Sequence, residues 1–240
     1  MRHMHAADEH DLELDREARR LCQRYVDEVV LEFDLCPWAA PALRAGRVQM
    51  FVIQREISEE NAFDEAANDA ARVLATCTDT PEIELALLLF PRARVERLAF
   101  DGLLRRLRTS GGERAFALAA FHPDAAPDRT TPERLIPFLR RSPDPMIQAV
   151  RSATLERIEP ASRSGTGFVD VTELVSLSLL APESLLTPPP EPLRLRIARQ
   201  NERTLTERGV DAFERAVSDI IADRERTYAR LDAAARARHG

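Results

Sequence analysis

Three short apolar runs, Val48–Ile53, Ile83–Phe90 and Ala115–Phe121, are separated by two stretches in which apolar residues return every three or four positions. That alternation constrains the fold more than any other feature. A fully apolar run suits a strand buried on both faces, and a period of 3.6 suits a helix with one buried side. The first intervening stretch carries Phe63, Ala66, Ala67, Ala70, Val73, Leu74 and Cys77 on one side. The second runs from about Val95 to Leu107 and stops before Ser110-Gly111-Gly112. Strand, helix, strand, helix, strand predicts an α/β unit with crossover connections. Right-handed crossovers put both helices on one face if the strand order simply advances.

The flanking segments are read by the same rules. Ala18, Leu21, Cys22, Tyr25, Val26, Val29, Val30 and Phe33 form one face of a helix that ends near Asp34-Leu35, after a polar lead over 1–11. Asp124–Arg134 is rich in Pro, Asp and Thr and reads as a loop. Arg140-Arg141-Ser142-Pro143 then opens a helix through about Ile158, with Ser142 as N-cap and Pro143 at the first helical position. Residues 160–192, with Pro188-Pro189-Pro190, read as a surface excursion. Leu193–Glu207, closed by Gly209, and Val210–Leu231 are helical again. The expectation is one α/β domain over 12–209, with a small sheet of about three strands and crossover helices, and a C-terminal helix over 210–240 as an appendage.

Composition narrows the chemistry. The net charge of −6 argues against a nucleic-acid partner, which needs a positive field. All 34 basic residues are Arg, so lysine Schiff bases, pyridoxal phosphate and the P-loop lysine are excluded. No Gly-x-Gly-x-x-Gly follows a strand, and no nucleotide is expected. No apolar run reaches the roughly 18–20 residues of a membrane span. Three cysteines make no disulfide framework, and the opening Met1-Arg2-His3-Met4-His5 leads into acidic residues, so a cytoplasmic location is expected.

Few residues are placed to do chemistry. His3, His5, His10 and His239 lie near the ends, which leaves His122 as the internal imidazole, where a strand stops. Ligands gather at that rim in open parallel sheets, although a histidine there can also simply bond a backbone carbonyl. Cys22 and Cys77 fall on apolar helix faces, as structural cysteines do. Cys36 instead follows a helix end and precedes Pro37, where an N-cap position would lower its pKa. The alternative is a buried Cys packed beside Trp38, itself a candidate substrate contact. Arg140 and Arg141, with Ser142, form a candidate anion site before a helix N-terminus. Arg92 follows the second strand as His122 follows the third, and would share a rim with it if those strands are neighbours.

Several of these segments resemble a known family. They are Leu35-Cys36-Pro37-Trp38-Ala39, Leu89-Phe90-Pro91, Ala120-Phe121-His122-Pro123-Asp124, Arg141-Ser142-Pro143, Pro145-Met146, Ile197-Ala198-Arg199-Gln200-Asn201 and Thr204-Leu205. In order and spacing they are similar to the bacterial family of unknown function DUF1415 from about residue 16 to 208, apart from an insertion at roughly 160–190. The resemblance implies that the Cys-Pro-Trp and Phe-His-Pro segments are family signatures, and it favours Cys36 and His122 meeting at one site. It brings no activity with it. Where the family pattern has a Tyr and a second His, this chain has Asp144 and Gln148.

Three functional readings remain open. In the first, a Cys36 thiolate with His122 as base or acid acts on a small anionic molecule held by Arg141 and Arg92. In the second, Cys36 or His122 ligates haem or a metal ion. In the third, a non-catalytic protein uses the apolar face of its C-terminal helix to join a partner or a second copy of itself.

Overall fold

The computed structural model describes residues 2–36, 39–109, 115–125, 130–158 and 193–239. Helix α1 spans Arg2–Tyr25, so most of the stretch read as a lead is helical, and it continues through a wider π-helical turn over Val26–Leu31. The chain leaves this helix at Asp34, whose φ of 47° is the left-handed conformation that commonly ends helices and that Asp tolerates. After a short α2 (Ala39–Arg44) come β1 (Val48–Val52), α3 (Phe63–Thr78), β2 (Leu85–Leu89), α4 (Arg97–Leu107) and β3 (Phe116–Phe121). These are the predicted strands and helices, with ends moved by one or two residues.

Downstream of β3 the structure corrects the sequence reading twice. The segment read as a loop, Asp124–Arg134, runs into α5 (Pro132–Leu139), a helix that the sequence reading did not assign, with Pro132 in its first turn and the Thr131 hydroxyl accepting a bond from the Arg134 N–H. The segment read as a helix from Pro143 contains β4 (Met146–Arg151), and only α6 (Ser152–Ile158) is helical. Pro143 and Pro145 disfavour helical geometry at Ser142 and Asp144. Ser142 caps no helix, since its hydroxyl donates to the Asp144 carbonyl at 2.6 Å.

The sheet therefore has four strands, in the order β1-β2-β4-β3. β1 and β2 are parallel, and β4 runs antiparallel to both of its neighbours, β2 and β3. Alternation along the central strands builds two cores. Leu85, Leu87, Leu89, Met146 and Val150 face α1 and α5, whereas Ala86, Leu88, Ile147 and Ala149 face α3 and α4. Both crossover helices share one face, as expected.

The chain closes with α7 (Leu193–Arg208) and α8 (Val210–His239), separated by Gly209 at φ 91°, a conformation that favours glycine. The C-terminal helical region is thus present, but it is built into the first core rather than appended. Phe213, Val217 and Ile220 are fully buried there with Leu21 and Tyr25 of α1. Residues 160–192 lie outside the described residues. Among the described residues no helix is long and apolar enough to cross a membrane.

Candidate functional site

Beneath the first helical layer, against the sheet, lies a cavity of about 220 Å³. Its apolar wall includes Val26, Val30, Leu85, Leu87 and Met146, and its polar groups are Tyr25, Cys36, Arg140, Gln148 and Asn201. The π-helical turn brings Val26 and Val30 onto this wall directly after Tyr25, consistent with the frequent use of such turns at functional sites.

The polar groups are unevenly satisfied. Tyr25 is 1 % exposed and Asn201 is 8 % exposed. Neither the Tyr25 hydroxyl nor the Asn201 side-chain oxygen has a hydrogen-bond partner among the described residues. Burial pushes the Tyr25 hydroxyl pKa up, while the nearby Arg140 charge pulls it down. Arg140 is the exposed residue of the described wall, and its guanidinium lies 5.8 Å from the centre of the Phe121 ring. Among the described residues no carboxylate pairs with it within 4.0 Å. Partial enclosure by protein lowers its pKa from the ordinary value.

The cysteines separate by environment. Cys22 and Cys77 are buried, and burial pushes the Cys22 thiol up to about 12 and raises that of Cys77. Cys36 is half-buried in the cavity wall. It is not an N-cap, because α2 begins at Ala39, whose N–H bonds the Cys36 carbonyl at 3.0 Å. Trp38, and Pro37 with it, lies outside the described residues.

His122 does not line this cavity. Successive residues at the end of β3 point to opposite faces, so Phe121 belongs to the cavity wall and His122 turns toward α4. It lies in a separate space of about 150 Å³ with Phe100, Arg97 and Asp101, and Arg140 borders both spaces. Its Nδ1 accepts the Asp124 N–H at 3.1 Å, which puts the proton on Nε2, 3.0 Å from the Val95 carbonyl. Burial lowers its pKa. The imidazole is therefore neutral and fully engaged with backbone, joining the start of α4 to the end of β3.

The remaining candidate arginines serve elsewhere. β4 separates β2 from β3, so Arg92 and His122 do not follow neighbouring strands. Arg92 donates to Asp11 at 2.6 Å. Arg140 and Arg141 do not precede a helix N-terminus; they follow the C-terminal end of α5, where cations are favoured. Arg141 donates to the Pro123 carbonyl at 3.0 Å and lies 3.8 Å from Glu214. Ser142 is buried.

Three polar wall residues were not among the candidate site residues of the sequence: Tyr25, Gln148 and Asn201. Asn201 was open to detection, because it shares a helix face with Ala198 and Leu205, and a polar residue in such a stripe is unusual. Gln148 stands where the resembling pattern has a histidine, and β4 places that position in the same cavity as Cys36. Among the described residues, no group of three or more His, Cys, Asp or Glu side chains is gathered as metal ligands would be.

No curated protein and no solved structure matches the chain. The family described as "Protein of unknown function (DUF1415)" matches residues 17–165, which take in Tyr25, Cys36, Arg140, Gln148 and the whole sheet, while Asn201 and α8 lie beyond the match. Because that match spans well over half of its length, the chain belongs to the DUF1415 family.

Proposed function

We propose that this protein is a thiol-dependent enzyme acting on a small anionic molecule, with Cys36 as the reacting group and Arg140 holding the anion. The observation that carries the reading is the position of Cys36: of the three cysteines it is the one that is not buried, and it lines the cavity that Arg140 also borders. A thiol needs access and a cationic neighbourhood to react, and a cysteine packed into a core has neither. Cys36 acts without His122, whose two ring nitrogens are bonded to backbone. The cation that the described wall places in the same space as the thiol is Arg140.

Alkylation rates test this directly. Iodoacetamide should label Cys36 at least roughly tenfold faster than Cys22 or Cys77, as expected for an accessible thiol beside buried ones. Site-resolved mass spectrometry of the folded protein reads the three rates. Equal, slow labelling of all three removes the reading.

A further inference from the structure

The same cavity specifies more than an anion. Its walls are aliphatic, with Val26, Val30, Leu85 and Leu87 along them, and its hydrogen-bonding groups are few. Tyr25 and Asn201 are both more than nine-tenths buried, and each carries a polar atom without a partner among the described residues. A buried polar group left unsatisfied is costly, so the Tyr25 hydroxyl calls for an acceptor, and the Asn201 carboxamide can donate to the same acceptor only through its NH₂. The Asn201 carboxamide offers an acceptor on one side and a donor on the other, and rotation exchanges them. Arg140 is the one cation in the described wall. A single guanidinium matches a single negative charge, and its planar fork fits a carboxylate. A sugar phosphate or other polyhydroxylated anion would lose the hydration of its hydroxyls against valine and leucine. The cavity, at about 220 Å³, suits a small ligand.

We infer that the cavity takes an amphiphilic monocarboxylate, its head between Arg140, Tyr25 and Asn201 and its hydrocarbon body along Val26, Val30, Leu85 and Leu87. This rests on the reading that the Cys36 cavity is the functional site, but it concerns the occupant and not the thiol. Octanoate is the probe, with 1-octanol as its uncharged counterpart, titrated calorimetrically into the full chain carrying Cys36→Ser. Octanoate should bind one site per chain, and 1-octanol should bind about tenfold more weakly, the loss expected for one charge-assisted pair. Arg140→Gln alters an exposed side chain and should leave the fold intact by circular dichroism while removing the preference for the acid. Tyr25→Phe should weaken octanoate about fivefold, as for one hydrogen bond, without lowering thermal stability. No saturable octanoate binding, equal binding of acid and alcohol, or an Arg140→Gln variant that keeps the preference overturns the assignment. The Cys36→Ser background keeps the two readings apart. Octanoate binding alongside slow Cys36 alkylation would sink the thiol reading alone, and fast alkylation without octanoate binding would sink only the ligand class.

Discussion

At the scale of single residues, His122 and Cys36 show what neighbours along the chain conceal. Both were legible as unusual, one as the internal imidazole and the other as a cysteine off any apolar helix face. Their separation was not, because it turns on whether residue 121 or 122 faces a given side of a sheet, and one residue of register reverses the answer. The buried His122 has a measurable consequence. Burial is the largest influence on its pKa and lowers it from 6.5; Arg97 acts the same way, against the Val95 carbonyl and the Asp124 and Asp101 carboxylates. The unfolded chain therefore takes up this proton first as pH falls. Stability from the neutral ring is complete above about 6.5 and is lost as pH drops toward the lowered folded pKa. Between about pH 7.5 and pH 5.5 the thermal midpoint of the wild type should fall more steeply than that of His122→Asn. Parallel pH profiles for the two proteins would contradict a buried neutral imidazole.

At the scale of elements, local pattern was reliable where the period was clear and failed where prolines crowd the chain. β1, β2, β3, α3 and α4 were all legible from periodicity. β4 was not, since Met146–Arg151 is short and sits between residues that suit a helix, and only its insertion between β2 and β3 makes it a strand. Its entry is held by a cluster whose partners are far apart in sequence. Asp144 is 2 % exposed and accepts from Arg224 at 2.6 Å and from the Tyr228 hydroxyl at 2.8 Å, both on α8. What the sequence shows as a departure from the family pattern is thus a joint between β4 and the C-terminal helix. Arg224→Leu leaves a carboxylate buried without its cation and should cost about 3 kcal/mol in chemical denaturation. Adding Asp144→Asn should recover much of that loss. A single variant within about 0.5 kcal/mol of wild type would show that the pair contributes little.

At the scale of the whole molecule, the first and last helices complete the core. Phe213, Val217, Ile220 and Tyr228 of α8 are buried in the same cluster as Leu14, Leu21 and Tyr25 of α1. Removing one buried phenylalanine costs about 3–5 kcal/mol, a large part of a domain's total of about 5–15. A chain truncated after Gly209 should therefore lose its cooperative thermal transition and bind hydrophobic dyes; a truncated chain that still melts sharply would show that α8 is dispensable to the fold. The sequence by itself determined the α/β class, the helix–strand alternation, the single face shared by α3 and α4, and the family, because these follow from local periodicity and local motifs. Only the tertiary structure decided that β4 enters the middle of the sheet, that Cys36 and Arg140 line a cavity that His122 does not, and that Tyr25, Gln148 and Asn201 share it. Those outcomes depend on which distant segments pack together, and burial energy is a property of the assembled chain, with no trace in the spacing of neighbouring residues.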